Sequence, residues 1–329
     1  MVKIAIIGSG ISGLTAANLL KDYADITVFE RARSVSGRMS TRRAEPYFFD
    51  HGAQYFTART RSFKKFIQPL INSGVVARWN ARYVKFDSNK ITERKAWGDE
   101  NSEPRYVGVP GMNMVAKHLA VNLNVKLNTR IVTLQNAGKW QLFSEKNLPF
   151  DGFDWVISTA PSQQTADLLP MDFQYHNEIT NVQMQACFSL MLGFSEPLHL
   201  EFDAAHITNS DLSWLAVNSH KPGRSGPYTL LVHSSEKYAE EHLDADRDEV
   251  LKHLCFETSR IIGCDVGVSE YKMLHSWLYA NNVNRTKCPV FFDQVMQLGA
   301  CGDWCLGGRV EGAFTAAYDL VEKIKENII

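Results

Sequence analysis

The chain opens with an unbroken apolar run, which is followed by a glycine-rich turn and then by apolar residues at helical spacing. Residues 4–7 read Ile-Ala-Ile-Ile, without polar alternation, as is typical of a parallel strand covered on both faces. The segment Gly8-Ser-Gly10-Ile-Ser-Gly13 then leads into a helix that extends to Leu20, and residues 25–29 form a second strand ending in Glu30. The pattern predicts a strand, turn, helix and strand in succession.

The C-terminal end has a similar pattern. Residues 297–303 predict a short buried strand ending in Asp303. The segment 312–324 is apolar at positions 314, 317, 320, 321 and 324, which is the spacing of a helix with one buried face. A glycine-rich turn separates the two elements.

Between these ends the pattern alternates between two bodies. Strands at 125–134 and 140–143 predict a small antiparallel appendage, and 153–161 predicts a parallel strand ending in an Ala-Pro turn. A helix is expected over 113–121 and another over 244–262. The other strands expected form a β-rich body: 186–194, 212–217, 228–233 and 270–279. These elements predict an α/β architecture of two domains. The first domain comprises 1–45, 106–170 and 280–329, and the second comprises 46–105 and 171–279.

Composition excludes several classes of partner. The 329 residues include 35 Lys and Arg against 36 Asp and Glu, so no net charge attracts nucleic acid or an anionic membrane. The N-terminal apolar run is too short for a signal peptide, and no apolar run approaches the ~20 residues that span a bilayer. We therefore expect a cytoplasmic protein.

Two of the six cysteines, Cys301 and Cys305, lie close together in the segment CGDWCLGGRVEGA. Zinc sites usually combine two short-spaced pairs of Cys or His, and no second pair follows here. Free cysteines often serve as small buried apolar side chains. We expect reduced thiols and no metal site.

The N-terminal glycines have the spacing of a dinucleotide site. Gly8 permits the tight turn, Gly10 allows the backbone to approach a pyrophosphate, and Gly13 allows close packing of helix and strand. The anion would lie at the helix N-terminus. Glu30, twenty positions after Gly10, is placed to accept ribose hydroxyls. Together these features predict a dinucleotide-binding domain.

The segment Gly37-Arg38-Met39-Ser40 resembles the FAD-binding segment of glutathione-reductase-type flavoproteins, with Ser36 in place of the usual first glycine, a change we expect to be tolerated. In such proteins the last strand ends in Gly-Asp and the next turn opens the final helix, as at Asp303. Backbone N–H groups near Val310 to Gly312 would then face the reduced flavin and stabilise its negative charge.

Several longer segments resemble the bacterial renalases, which are relatives of the flavin amine oxidases. They include Asp50-His-Gly-Ala-Gln-Tyr-Phe-Thr-Ala-Arg59, Trp214-Leu-Ala, Lys221-Pro-Gly-Arg, His275-Ser-Trp-Leu-Tyr-Ala and the C-terminal stretch. The chain departs from the family pattern at Ala280-Asn281-Asn282. The resemblance implies a glutathione-reductase-type FAD-binding Rossmann domain with a β-rich substrate domain, in the two-domain architecture of p-hydroxybenzoate hydroxylase. It also implies non-covalent FAD, bound through Gly8, Gly10, Ser12, Gly13, Glu30, Arg31, Arg38, Met39, Ser40, Gln54, Ile131, Asp303, Arg309, Val310 and Gly312.

The renalase resemblance implies oxidation of 1,2- or 1,6-dihydro isomers of NAD(P)H, with hydride transfer to FAD and with dioxygen converted to hydrogen peroxide. Because the flavin carries this chemistry, we expect no catalytic side chain. The substrate residues expected are Tyr55, Phe56, Thr57, Ala58, Arg59, His233, Trp277 and Tyr279. Two alternatives stay open at this stage: a flavin amine oxidase and a non-enzymatic flavin-binding module.

Overall fold

The computed structural model describes residues 1–99, 102–282, 286 and 288–328. Within these residues the helices are α1 (Ile11–Leu20), α2 (Arg61–Asn72), α3 (Asn113–Leu119), α4 (Ser162–Leu168), α5 (His176–Thr180), α6 (Glu236–Glu241), α7 (Arg247–Ile262) and α8 (Val310–Ile328). Across the same residues, none of the helices is both long enough and apolar enough to cross a membrane.

The first ten strands, in chain order, are β1 (Lys3–Ile7), β2 (Asp25–Phe29), β3 (Thr41–Ala44), β4 (Tyr47–Asp50), β5 (Val76–Arg78), β6 (Arg82–Asp87), β7 (Lys90–Ala96), β8 (Tyr106–Gly108), β9 (Asn124–Lys126) and β10 (Ile131–Asn136). The next ten are β11 (Trp140–Ser144), β12 (Pro149–Phe153), β13 (Trp155–Ser158), β14 (Met184–Phe194), β15 (Ala204–Thr208), β16 (Leu212–Val217), β17 (Tyr228–Ser234), β18 (Tyr271–Asn282), β19 (Phe291–Asp293) and β20 (Leu298–Ala300).

The chain divides into two compact units. The first unit comprises Met1–Arg38, Val115–Met184 and Asn281–Ile329, and the second comprises Met39–Met114 and Gln185–Ala280. These units are defined by packing alone. The assignment of a cofactor domain and a substrate domain to particular ranges stays a prediction.

The first unit is built on a six-stranded sheet in the order β19-β20-β13-β1-β2-β9. The strands from β20 to β9 run parallel, and β19 pairs antiparallel with β20. Helices α1 and α8 pack against each other. The apolar run predicted at the N-terminus is buried, because Ile4, Ala5 and Ile6 have no exposed surface. The predicted parallel sheet with packed helices is confirmed.

One predicted strand is wrong. Residues 125–134 do not form a single strand, because the chain turns at Asn128, whose φ is +51°. The part before the turn, β9, pairs parallel with β2, and the part after it, β10, pairs antiparallel with β11. The predicted appendage is a three-stranded sheet, β10-β11-β12.

The second unit is built on a seven-stranded sheet in the order β18-β14-β17-β16-β15-β6-β7. Its central strands are antiparallel, with Ser189 opposite His233 and Trp214 also opposite His233. Helix α7 contributes Val250, Leu254 and other apolar residues to the core of this unit. The predicted β-rich body is confirmed, and sequence analysis missed β6, β7 and β15 within it.

Candidate functional site

The glycine turn after β1 has the geometry that its three glycines predict. Gly8 has a φ of +105°, in the left-handed region that favours glycine. A Cβ on Gly13 would lie 2.0 Å from the Gly8 carbonyl oxygen, so only glycine permits this approach of helix and strand. A Cβ on Gly10, by contrast, would meet no atom within 4 Å. The turn is therefore closely packed on one side and open at Gly10, where a pyrophosphate is expected.

Glu30, the predicted ribose acceptor, is buried beside this turn. One carboxylate oxygen accepts hydrogen bonds from the backbone N–H of Ser9 at 3.0 Å and from the Ser9 hydroxyl at 2.6 Å. The other oxygen accepts from the N–H of Ala32 at 2.8 Å. Glu30 thus holds the glycine turn in place from the end of the neighbouring strand. An anion is acceptable here because each oxygen of the buried carboxylate accepts at least one hydrogen bond.

The second glycine segment lies against the first. Gly37 has a φ of +52°, and a Cβ there would lie 3.2 Å from the Gly10 Cα. Ser36, which we expected to be a tolerated change, has a φ of +134°, and its N–H donates to the Ser9 carbonyl at 3.2 Å. A residue with a Cβ is strained in this region of backbone space. The expectation for Ser36 was wrong, because the close approach to the first turn imposes a glycine-like conformation.

The C-terminal stretch is tied to both glycine segments. Asp303 forms an ion pair with Arg38, 265 positions away in the chain. The Ser12 hydroxyl donates to the Ala313 carbonyl at 2.9 Å, which links the start of α1 to the first turn of α8. Two predicted cofactor residues, Arg38 and Asp303, therefore contact each other directly.

The turn between Asp303 and α8 depends on its glycines. Gly307 and Gly308 have φ values of +94° and +72°. A Cβ on Gly308 would lie 1.9 Å from the Asn281 side-chain oxygen. The amide of Asn282 donates to the Trp304 carbonyl at 2.9 Å, so the asparagines that depart from the family pattern pack against this turn. Arg309 is exposed, and α8 begins at Val310, with Gly312 inside its first turn.

The cysteines of the C-terminal stretch are buried free thiols. Burial raises the pKa of Cys301 to about 12 and raises the pKa of Cys305 well above its ordinary value. Since the thiolate is the reactive form, neither side chain is suited to redox or nucleophilic chemistry. All six cysteines of the chain are free.

The first unit therefore offers residues that fit FAD. The open space beside Gly10 suits a pyrophosphate at the N-terminus of α1. Glu30 directly follows β2, whereas β20 ends at Ala300 and Asp303 opens a short 3-10 turn instead of ending the strand as predicted. Ile131, a further predicted contact, is buried in the core. Arg31 is exposed. The other predicted cofactor residues, Met39, Ser40 and Gln54, belong to the second unit.

A buried cluster of charges lies in the second unit. Asp50 accepts from Thr41 at 2.8 Å and from the N–H of Met112 at 2.9 Å. Its second oxygen lies 3.4 Å from the Lys221 ammonium and accepts a hydrogen bond from Arg224. We call Asp50, Lys221 and Arg224 the buried charge cluster. It holds one carboxylate and two cations, with side chains 0%, 0% and 5% exposed.

The buried charge cluster also holds Gln54, a predicted cofactor residue. Lys221 donates to the Gln54 side-chain oxygen at 3.1 Å. The Gln54 amide nitrogen donates to the carbonyls of Asp50 and Gly52. Both ends of the Gln54 side chain are therefore hydrogen-bonded, one to the turn 50–54 and the other to Lys221. Asp50 and Lys221 lie within the renalase-like segments of the chain, but no local pattern predicts that they pair.

Histidine and tryptophan side chains meet at His51, which lies within this turn. The His51 carbonyl accepts from Ser189 at 2.7 Å and from the indole N–H of Trp277 at 2.8 Å, and His233 lies 3.4 Å from it. The His51 ring stacks on Trp277 at 5.2 Å and meets His275 edge-on at 4.9 Å. We call His51, His233, His275 and Trp277 the imidazole–indole cluster.

The histidines of this cluster are neutral at physiological pH. Burial lowers the pKa of His51 to about 3 and the pKa of His233 to about 4. Burial, together with the charge of Arg42, lowers the pKa of His275 to about 4. Neutral imidazoles can donate and accept hydrogen bonds without adding charge. The structure brings together the predicted residues His233 and Trp277 and adds His51 to them.

The remaining predicted substrate residues have different environments. Tyr55 packs on Trp97 at 5.1 Å and on Trp214 at 5.6 Å. The Arg105 guanidinium lies 4.3 Å from the centre of the Trp97 ring and 5.9 Å from that of Tyr55. Of the others, Phe56 and Ala58 are buried, Thr57 and Tyr279 are half-buried, and Arg59 is exposed.

Comparison with known proteins shows two matching family models. Residues 6–70 match the NAD(P)-binding Rossmann-like domain, and residues 62–319 match the flavin containing amine oxidoreductases. A 73-residue stretch is 44% identical to the L-glutamate oxidase precursor of Streptomyces diastatochromogenes. That stretch covers 21% of this chain and 11% of the precursor.

Solved structures share the fold over the whole chain. One is a protein described as a protoporphyrinogen oxidase from Exiguobacterium sp. 255-15, with a TM-score of 0.80 and 12% identity. Another is wild-type putrescine oxidase bound to putrescine, with a TM-score of 0.71 and 13% identity. Each alignment covers 99% of both chains. With a family match over residues 62–319 and residues that fit the cofactor, the chain belongs to the flavin containing amine oxidoreductases and is an FAD-dependent oxidoreductase.

Proposed function

We propose that this flavoenzyme oxidises the 1,2- or 1,6-dihydro isomers of NAD(P)H to β-NAD(P)⁺. When bound, FAD would supply the hydride-accepting and dioxygen-reducing chemistry that the side chains lack. One substrate, one dioxygen and one proton then yield one β-NAD(P)⁺ and one hydrogen peroxide. The chain's own residues bind and orient the dihydropyridine ring.

The imidazole–indole cluster is the observation that carries this proposal. The dihydronicotinamide ring is an uncharged plane with a carboxamide, so it suits neutral imidazole donors and acceptors beside an indole plane. Its product is a pyridinium cation, which protonated histidines would repel. Because burial keeps the pKa values of His51, His233 and His275 at about 3 to 4, that repulsion is absent at pH 7.

Family membership favours a second candidate, the oxidation of an amine. Three features weigh against it. The faces of Tyr55 and Trp97, which would attract an ammonium, are already covered by Arg105. The carboxylate of Asp50 is already bound by Lys221 and Arg224. A further cation, Arg309, stands where amine oxidases commonly place an aromatic wall of the amine site, and a fixed positive charge repels a protonated amine.

The deciding experiment is anaerobic mixing of the enzyme with borohydride-reduced NAD⁺, which contains the 1,2-, 1,4- and 1,6-dihydro isomers. We expect rapid bleaching of the flavin absorbance by the 1,2- or 1,6-isomer and little by the 1,4-isomer. Bleaching by putrescine or another simple amine, with none by the dinucleotides, would establish the second candidate instead.

We further propose that FAD is held without a covalent bond. Cys305, the cysteine nearest in sequence to the glycine turn that precedes α8, is a fully buried thiol whose raised pKa disfavours attack on the flavin. Acid precipitation should leave the yellow colour in the supernatant. Colour retained in the protein pellet would contradict this proposal.

A further inference from the structure

A groove in the second unit contains two of the predicted substrate residues, Ala58 and Arg59, and its other lining residues have no role in the function proposed above. It lies between α2 on one side and β5, β8 and the segment before β8 on the other, and its volume is about 580 Å³. Ala58, Ile67 and Ile71 contribute apolar side chains to its lining, together with the ring of Tyr106. Small-molecule sites commonly have this size and an apolar lining with a few polar groups.

Local structure fixes the groove walls. Thr60 caps α2 by accepting from the N–H of Phe63 at 3.2 Å, and residues 64, 67 and 71 then share one helix face. Arg78 is paired with Tyr106 across β5 and β8, so the two side chains stand on the same side. Tyr106 in turn exchanges backbone hydrogen bonds with Phe56 at 2.7 and 2.9 Å.

The charges around the groove are predominantly positive. Three cations, Arg59, Lys64 and Arg78, line it together with one carboxylate, Glu103. Glu103 pairs with Arg59 through both of its oxygens. Among the residues that the structure describes, Lys64 and Arg78 have no ion-pair partner. Two positive charges therefore face the groove uncompensated.

The groove lining begins in the chain directly after residues 55–57, which we expect to contact the nicotinamide half of the substrate. Ala58 and Arg59 follow these residues in the chain and line the groove. A dinucleotide carries a pyrophosphate and an adenosine beyond its nicotinamide. Pyrophosphate oxygens accept charge-assisted hydrogen bonds from exposed Lys and Arg side chains. Adenine can pack on apolar side chains and on a tyrosine ring.

Resting on the proposed function, we propose that this groove binds the adenosine diphosphate portion of the dinucleotide substrate. Lys64 and Arg78 contact the phosphates. Arg59 joins them when it exchanges Glu103 for a phosphate oxygen. The assignment makes the groove a specificity site for dinucleotides over mononucleotides.

Isothermal titration of the FAD-loaded enzyme with ADP tests the site without any turnover. We expect Lys64→Gln and Arg78→Gln each to weaken ADP binding by up to about fivefold, the upper range for one exposed charge pair. Lys65→Gln, the same change one position along α2 and outside the groove, should leave binding unchanged. Glu103→Gln should tighten binding, because it frees Arg59. Equal effects at positions 64 and 65, weaker binding by Glu103→Gln, or no ADP binding at all would overturn the inference.

A second measurement separates this inference from the proposed function. The KM for 1,6-dihydro-NAD is compared with that for 1,6-dihydronicotinamide mononucleotide, which lacks the ADP portion. If the KM is lower for the dinucleotide, and if Lys64→Gln raises it while Lys65→Gln does not, the groove assignment and the proposed function are both supported. Equal KM values for the two compounds refute the groove and leave the proposed function standing. If the enzyme oxidises neither compound but ADP binding still depends on Lys64, the proposed function is refuted and the groove stands as an ADP-binding site.

Discussion

Replacing Lys221 by methionine should change how the stability of the protein depends on pH. Burial is the main cause that lowers the pKa of Lys221 from 10.5 to about 8; the charge of Asp50 opposes this and that of Arg224 adds to it. The side chain has no exposed surface. At about 1.4 kcal/mol per pKa unit, keeping this ammonium buried costs roughly 3 kcal/mol of folding free energy below pH 8.

The direction of the effect follows from proton binding. In the unfolded chain Lys221 keeps its proton up to about pH 10.5, whereas in the folded protein it loses the proton near pH 8. Between these values the unfolded state binds more protons, so Lys221 makes the free energy of unfolding rise with pH. The methionine side chain of the variant has no proton to lose. The free energy of unfolding of the wild type minus that of Lys221→Met should therefore rise by about 3 kcal/mol between pH 8 and 10.5.

At pH 7 the two effects of the substitution nearly cancel. Lys221→Met removes the charging cost of roughly 3 kcal/mol, and it leaves the Gln54 oxygen without its donor at a cost of about 1–3 kcal/mol. The variant should be within about 2 kcal/mol of the wild type. Asp50→Asn should instead destabilise by about 3–5 kcal/mol, because two buried cations lose their carboxylate.

The assay is urea unfolding followed by circular dichroism in saturating FAD, at several pH values from 7 to 10.5. Lys65→Met, at an exposed position on α2, is the matched control, and its difference from the wild type should not vary with pH. Contributions from titrating groups that do not interact with Lys221 cancel in each difference; Asp50 and His233, which interact with it, have lowered pKa values and titrate below this pH range. The free energy of unfolding of the wild type minus that of Lys221→Met could instead stay constant from pH 7 to 10.5. That result would refute the inference that the buried ammonium of Lys221 destabilises the folded protein below pH 8.

The other predictions concern the first unit. Glu30→Ala should lower FAD affinity while the chain still folds, since it removes the anchor of the glycine turn at a cost of about 1–3 kcal/mol; unchanged affinity in a titration of apoprotein would contradict this. Gly10→Ala should fold normally but bind FAD weakly, because its Cβ meets no protein atom within 4 Å. Gly13→Ala should fail to fold, because its Cβ would lie 2.0 Å from the Gly8 carbonyl oxygen. Circular dichroism and flavin content separate the two outcomes. Ser36→Gly should raise the free energy of unfolding by about 1 kcal/mol by relieving the strain at φ +134°; a destabilised variant would show that the hydroxyl matters more than the backbone.

Short-range patterns predicted the elements of the first unit well. The run at Ile4–Ile7, the three glycines and Glu30 lie within 30 residues, and their geometry depends mainly on backbone sterics and on burial of both sheet faces. The split at Asn128 was missed, because a run of alternating residues does not reveal which sheet each half will join. The strain at Ser36 was missed for a related reason, since it comes from the approach of a second turn.

The amino-acid pattern alone thus predicted the fold class and a dinucleotide-binding turn, because both rest on local spacing, whereas FAD and the flavoprotein family were predicted from the resemblance of longer segments. Only tertiary structure decided the pairing of Arg38 with Asp303 and the burial of Lys221 and Arg224 around Asp50. These partners are 265, 171 and 174 positions apart. The distance between such residues depends on strand order and on how loops pack over the sheets, which no local periodicity encodes. The neutrality of the histidines likewise follows from burial, which depends on the whole surrounding unit.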